Sequence, residues 1–514
     1  MLSKLQESIY RVMQAMIGYG AGLLFLILFV TAVLFQAVVY LPYKEWVGLS
    51  FSGVWTVLSL LLVCLSYWLL SKFVMRYSCR QLFILLSVLY LLVGLILIFY
   101  LPAQLRDDAH SVLRAAFLLN EGDTRFLQAG AYLNRYPHQL GLVSLERLVL
   151  IILPGAGVRT FYFLNLLAIL GINYANWKLS EELFQNERSS QYTILALFAF
   201  LPQFFNLFFV YGLVYGLCAA SVGLLYFCRY LQRDYLKNAL LASFCLSLSY
   251  WIRNNNSILL VAVAVILLLE CLRRRQPLLL GLLIPLLFCS LGLNRVTTNY
   301  YETMGQVSFA ANPKVTWLAM GLQDTQSEVR QGGWYNKYVR RIYDHYEGDE
   351  EKITQAAKKE VGRRVQVFAE DPIYAGRFFM KKFATTWVES TFQSIWSGPS
   401  KPQQGSVKGE GLESLYRGGI IYRFFYHYTH AYLILLYGGS LIFLVVKSPW
   451  KRLPREYYAF VYLAGGVLFH LLWETKSQYV YTYVLLTIPF AVKGYQEGRE
   501  WWLRMRNSRK ESKR

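Results

Sequence analysis

QLFILLSVLYLLVGLILIFYLPAQLRDDAH, residues Gln81 to His110, joins an uninterrupted apolar run, Leu82 to Leu101, to the acidic pair Asp107-Asp108. A run of that length without a charge reads as a helix crossing about 30 Å of hydrocarbon. Adjacent carboxylates at its mouth are costly to place there unless binding or chemistry uses them. The same apolar signature recurs along the whole chain. Of its 514 residues, 55% are hydrophobic, 17% aromatic and only 16% charged, and the mean hydropathy of +0.33 lies outside the range of ordinary soluble proteins. The fold class expected is an all-α integral membrane protein with about twelve transmembrane helices and a mainly helical extracytoplasmic domain.

The net charge of +21 raises nucleic acid as a partner. However, the basic residues gather in short patches between apolar runs, the pattern of cytoplasmic retention, so no nucleic-acid role is expected. The patches are Lys72, Arg76 and Arg80; Arg229, Arg233 and Lys237; Arg273 to Arg275; Lys447, Lys451, Arg452 and Arg455; and the tail from Arg499 to Arg514. The seven cysteines all lie in or beside apolar runs, which indicates neither a disulfide framework nor a thiolate metal site. Lys4 and Arg11 precede the first apolar run with no small-residue cleavage site, so that run is expected to be a retained span.

Spans near 15–40, 52–71 and 82–101 carry the chain outward, making the Asp107-Asp108 loop extracytoplasmic. Counting 138–153 as another span would put Arg229, Arg233 and Lys237 outside. That segment is short and carries Glu146 and Arg147, so it is expected as an interfacial or re-entrant helix. Spans near 158–178, 191–208, 211–228, 238–252, 256–271, 277–293, 431–446, 457–473 and 479–493 complete the count. The domains expected are a transmembrane module over 1–293 with a catalytic first outer loop at 102–153, an extracytoplasmic domain over 294–430, final spans over 431–498 and a basic cytoplasmic tail over 499–514. Within the outer domain, Glu350 to Ala369 reads as an amphipathic helix. Pro372 to Phe392 reads as a helix whose aromatic face suits a membrane surface. The Gly and Pro cluster from Ser397 to Gly411 interrupts this domain.

This topology brings four polar clusters to one depth: Asp107-Asp108 with His110; Tyr136-Pro137-His138-Gln139; Arg253 with Asn254, Asn255 and Asn256; and Glu474-Thr475-Lys476-Ser477-Gln478-Tyr479. Carboxylates, an Arg, amides and a Lys converging at one face form the kind of constellation an active site needs. One of Asp107 and Asp108 can serve as a general base toward an incoming hydroxyl or amine, and a carboxylate can also steady an oxocarbenium-like centre. The bland alternative is a pair of solvated acids beside Arg106. Arg253 can hold a lipid phosphate in two-point fashion, or it can be a snorkelling cap. Lys476 offers a second cation with Glu474 as its local partner, and a plain ion pair is the alternative.

His427 and His430, spaced i, i+3, and His110 are the metal candidates, but interfacial histidines satisfied by water or backbone are commoner, and no metal is expected. No GxxxxGK[ST], GxGxxG or HExxH motif occurs, removing the usual signals for nucleotide, dinucleotide and zincin chemistry.

On Asp107-Asp108-Ala109-His110, Tyr136-Pro137-His138, a large polar region before the last spans, and Trp473-Glu474-Thr475-Lys476-Ser477-Gln478-Tyr479, the chain resembles the GT-C superfamily of membrane glycosyltransferases. The layout is close to bacterial glycosyltransferase family 39 and protein-mannosyltransferase-like proteins. The resemblance implies inverting transfer of a sugar from a polyprenyl-phosphate donor to a cell-envelope glycan, lipid or protein, on the outer face of the cell membrane. It implies that Asp107 or Asp108 is the base and that Arg253 and Lys476 meet the donor phosphate. His110, Tyr136, His138, Asn254, Glu474 and Tyr479 are the further substrate-binding candidates. No cofactor is expected, the lipid-linked sugar being the donor substrate. His110 departs from the commoner family pattern, which leaves the choice of catalytic Asp open, and Lys476 stands where relatives often carry Arg, which counts against two-point phosphate binding there. A lipid-linked glycan flippase, or a non-enzymatic envelope-assembly protein, is the alternative; a flippase needs its charges at mid-depth rather than at the ends of spans.

Overall fold

The computed structural model describes residues 2–41, 45–324, 331–399 and 409–511. It is 79% helical. The chain starts with α1 (Leu2–Leu34), a hairpin of β1 (Phe35–Tyr40) and β2 (Trp46–Phe51), then α2 (Val54–Val74), α3 (Cys79–Tyr100), α4 (Asp107–Asn120), α5 (Tyr132–Arg135) and α6 (Leu140–Ile152). Next come α7 (Val158–Phe184), α8 (Glu187–Ala199), α9 (Leu201–Phe205), α10 (Leu213–Arg233), α11 (Leu236–Ile252), α12 (Ser257–Arg274) and α13 (Leu283–Gly305). The polar region holds α14 (Val315–Leu322), α15 (Tyr338–His345), α16 (Glu350–Glu370), α17 (Pro372–Trp387) and α18 (Glu410–Tyr416). The chain closes with α19 (Ile420–Val446), α20 (Tyr458–Leu472), α21 (Ser477–Leu485) and α22 (Ile488–Glu511).

Among the described residues, eight helices are long and apolar enough to cross a membrane, or nine if the bent pair α8 and α9 counts as one. Four of the twelve expected spans therefore depart from a simple apolar rod. The segment 191–208 is bent by 51° at Phe200, where Pro202 cannot donate to the preceding turn. Helix α11 has only 17 residues and α20 only 15, and the 479–493 segment breaks between α21 and α22. The first span also ends early. Its last residues, Phe35 to Tyr40, form a β-strand paired antiparallel with Trp46–Phe51, from Phe35 opposite Phe51 to Tyr40 opposite Trp46. Phe35-Gln-Ala-Val-Val-Tyr suits a pleated, half-buried surface, and Ala37, Val39 and Val47 pack inward on Trp334. The Tyr422 hydroxyl donates to Val39 O at 2.8 Å, tying the hairpin to α19.

Helices α13 and α19 run straight through the expected domain limits at 293/294 and 430/431, and α22 runs through 498/499. The polar region is thus built onto helices that extend beyond the bundle. Helix α6, the segment expected as re-entrant or interfacial, has 13 residues, shorter than the roughly 20 that span about 30 Å of hydrocarbon. Helix α16 matches the amphipathic segment. Helix α17 stops at Trp387 and buries Phe378, Lys382, Phe383 and Trp387, so its second half packs into the protein instead of resting on a surface. Most of the Gly and Pro cluster lies outside the described residues.

The bundle has two chemically different ends. At one, Glu182 pairs with Arg229 and Arg233, Glu270 with Arg273 and Arg274, and Glu497 with Lys447 and Arg452. The Gln14 side-chain amide, in the first half of α1, donates to Pro449 O and Arg452 O there. The hairpin after α1, the C-terminus of α3, the N-terminus of α4 and the α20–α21 turn lie at the opposite end, at the far side of a 33-residue helix about 50 Å long.

Candidate functional site

At that second end a cavity of about 1030 Å³ is lined by Asp107, Asp108, His110, Tyr136, His138, Glu474, Lys476 and Tyr479, eight of the ten residues singled out in the sequence. Segments from the start, middle and end of the chain build it. Asp107 and Asp108 are not free loop acids: they open α4, where carboxylates face the positive end of a helix dipole. Asp107 has φ 42°, a left-handed conformation that L-residues adopt at a cost, so the entry to α4 is strained. Arg106, itself on the cavity wall, anchors the entry. Its guanidinium lies 4.2 Å over the Trp396 ring and donates to Trp396 O at 2.8 Å.

Asp108 is the better-placed carboxylate. Tyr211 donates to its Oδ2 at 3.5 Å, Gln139 donates to the Tyr211 hydroxyl at 2.6 Å, and the Tyr132 hydroxyl lies 3.4 Å from that of Tyr211. The carboxylate is open to the cavity while the walls displace bulk water around it. That desolvation raises its pKa above the ordinary value, with Lys476 working against it, Asp107 adding to it, and the two phenols lowering it.

The opposite wall carries the late motif. Lys476 Nζ bridges both oxygens of Glu45, at 2.9 and 3.0 Å, correcting the expected local pairing with Glu474. Glu45 lies in the hairpin connection and accepts a further bond from Gln393 at 3.0 Å. Burial opposes the charge on Lys476, but Glu45, Glu474 and Asp108 outweigh it, and the ammonium is held above its usual range. Glu474, buried and bonded by the Tyr479 hydroxyl at 3.3 Å, is pushed by desolvation up to about 7 against the pull of Lys476. It therefore titrates near neutrality.

The turn bearing Glu474 and Lys476 is gripped from the polar region. Glu474 N donates to Trp317 O at 3.2 Å and Thr475 N to Gly333 O at 3.0 Å. Gly321 of α14 lies so close that a Cβ there would sit 2.3 Å from Leu472 O. Lys382 of α17, 1% exposed, donates to Gly321 O, Leu471 O and Trp473 O at 2.6, 2.9 and 2.8 Å. Burial lowers this ammonium to about 7, while the three carbonyls, two of them at the negative end of α20, call for all three protons. Glu389, fully buried, accepts from Thr391, Gln393 and Ser477 and so fixes the chain on both sides of the turn.

Arg253 and Asn254, expected as substrate contacts, are not among the residues that line the cavity. The 3-10 turn that caps α11 sets Arg253 behind the wall, donating to Tyr211 O at 3.3 Å with its guanidinium 5.9 Å from the Tyr479 ring. His427 and His430 lie on α19, stacked near Trp55 and Tyr426, and do not line the cavity.

Sequence reasoning missed Glu45, Tyr132, Arg135, Tyr211, Trp317, Tyr335 and Arg340, all of which line the cavity. Glu45 had a signal, being a lone acid in the first short connection at this end of the bundle. The others had none, because each is one of many aromatic or basic residues in its segment. Tyr136, His138 and Trp317 form an edge-on cluster with centroids 6.0 to 6.4 Å apart, a surface suited to the apolar faces of a sugar ring. Arg135, Lys337 and Arg340 bring positive charge to the same space. Chemically, the cavity offers a desolvated carboxylate, an anchored ammonium, a carboxyl that titrates near neutrality and an aromatic floor. Comparison of this chain with protein-family models, curated proteins and solved structures finds no match, so the functional reading rests on this geometry and on the sequence.

Proposed function

We propose that the cavity performs inverting sugar transfer from a polyprenyl-phosphate donor to a hydroxyl or amine of a cell-envelope acceptor. The observation that carries the reading is Asp108, a carboxylate open to a cavity at the end of a membrane bundle, with the Tyr211 hydroxyl 3.5 Å from it and Lys476 on the same cavity's lining. In this reading Asp108 takes the acceptor proton as the acceptor heteroatom bonds to the anomeric carbon. The sugar–phosphate bond breaks on the opposite face, and the phosphate leaves with the bonding electrons. A base whose pKa is raised toward the working pH is the more effective one. Lys476, Arg135, Lys337 and Arg340 are the cations a phosphate can meet, and Arg253 positions Tyr211 and Tyr479 instead of touching the donor. Metal is not invoked, because fixed cations already supply positive charge.

The topology that goes with this function has twelve crossings: the eight long apolar helices, the bent α8–α9 pair, α11, α20 and the α21–α22 pair. That count keeps the basic patches at one end, which the positive-inside rule makes cytoplasmic, and turns the cavity and the polar region outward.

The deciding experiment is transfer by the reconstituted protein with a polyprenyl-phosphate sugar. Asp108→Asn should lower turnover at least about 100-fold, the scale of a lost general base, with folding retained. Full activity in the Asp107→Asn, Asp108→Asn double variant removes the proposal.

A further inference from the structure

A second space lies toward the basic end, far from the cavity. Helices α2, α8, α19 and α22 enclose a crevice of about 400 Å³, lined by Cys64, Ala196, Leu436, Ala491 and Tyr495 among others. Two phenols on its walls are already committed to backbone: Tyr432 donates to Ala196 O at 2.8 Å and Tyr495 to Leu435 O at 2.7 Å. What they present to the crevice is ring and hydrocarbon. Helix α2 leaves most of its apolar surface uncovered by the rest of the chain, so in a membrane the crevice borders lipid.

One end of the crevice is charged. It stops at Gln496 and Arg499, and from Arg499 onward α22 is exposed. The Gln496 side chain is held by the Ser189 hydroxyl, and the next residue, Glu497, pairs with Lys447 at 2.7 Å, which puts this mouth at the basic end. Arg499 is exposed, and among the described residues it has no ion-pair partner. Helix α22 then continues with exposed Trp501 and Trp502, and the Arg506 guanidinium lies 5.5 Å from the Trp502 ring. On α2 the same arrangement recurs, Lys72 lying 3.8 Å over the Trp68 ring. Tryptophans beside cations mark headgroup depth, and fixed positive charge there favours an anionic surface.

We propose that this crevice seats one acyl chain of an anionic glycerophospholipid from the leaflet at the basic end, its phosphate held by Arg499. The charge of the mouth argues against a zwitterionic headgroup. A polyprenyl-phosphate donor is the wrong occupant, because its phosphate belongs in the cavity at the opposite end of the bundle. The bound lipid fills a gap between α2 and the α8–α19–α22 face, so it acts as a tie between α2 and the bundle.

The experiment uses the full chain, stripped of lipid in detergent, with phosphatidylglycerol or phosphatidylcholine of matched chains added while thermal unfolding is followed. Phosphatidylglycerol should raise the unfolding midpoint saturably, and phosphatidylcholine should not. Arg499→Gln should weaken the apparent affinity about 10 to 150-fold, the range for one charge-assisted contact. Arg509→Gln, farther along α22, should leave it unchanged. Ala491→Phe should abolish the effect by filling the crevice; should that variant fail to fold, the exposed Arg499 substitution still decides. Equal stabilisation by both lipids, or equal loss with Arg499→Gln and Arg509→Gln, reduces the effect to diffuse electrostatics and overturns the proposal. Displacement of phosphatidylglycerol by a short polyprenyl phosphate overturns it too, because the crevice would then be a donor path.

Discussion

Lys476 and Glu45 stand 431 residues apart in the chain and meet at 2.9 Å, closing one wall of the cavity that Asp108 faces. The pair joins the first connection of the protein to its last polar turn. It also leaves the Lys476 charge close enough to lower both Asp108 and Glu474.

Removing that charge should move the pH dependence of activity in a defined direction. In Lys476→Met the two carboxyls lose a cation, so their pKa values rise. A base must be deprotonated to work, and the acidic limb of kcat/KM against pH should therefore shift to higher pH. Profiles of wild type and variant check this; an unmoved limb would mean that the ammonium does not reach the base.

Glu474 links stability to pH. Its carboxyl is raised from 4.5 to about 7 in the folded protein, so between those values the folded state binds more protons than the unfolded state. Stability is therefore lost as pH rises from 4.5 through about 7, by up to about 3 kcal/mol at 1.36 kcal/mol per unit. Glu474→Gln should flatten this segment of the curve of unfolding midpoint against pH in detergent. A wild-type curve already flat from pH 5 to 8 would contradict the burial argument.

Lys382→Met strands three carbonyl oxygens that now share one ammonium. Leaving a buried acceptor without its donor costs about 1 to 3 kcal/mol. Thermal unfolding should register most of that, and a loss below about 1 kcal/mol would show that water replaces the ammonium freely.

Gly321→Ala tests the grip on the turn that carries Glu474 and Lys476, since the added methyl would lie 2.3 Å from both Leu472 O and Trp473 C. Overpacking of this kind costs about 1 to 3 kcal/mol. Because the displaced atoms adjoin Glu474, turnover should fall further than stability alone explains; equal kcat in the folded fraction would detach the turn from function.

Arg253→Ala separates positioning from direct contact. With the guanidinium behind Tyr211 and Tyr479, kcat should fall while donor affinity changes little. A donor affinity weakened about 10 to 150-fold at unchanged kcat would instead place the guanidinium on the phosphate.

The sequence by itself determined the membrane class, the helical character, the amphipathic α16 and the polar clusters that face one another, eight of whose ten chosen residues line one cavity. Those properties are carried by local composition and period, which a linear reading sees directly. Only the tertiary structure decided that Lys476 belongs to Glu45, that Arg253 stands behind the wall, and that Trp317, Tyr335 and Arg340 complete the site. The physical reason is that a lysine or a tyrosine has the same local signature whether it faces a cavity or caps a helix, and long-range packing alone selects between them. The same holds for the hairpin, whose first strand reads as the end of an apolar span until Trp46–Phe51 supplies its hydrogen-bond partners.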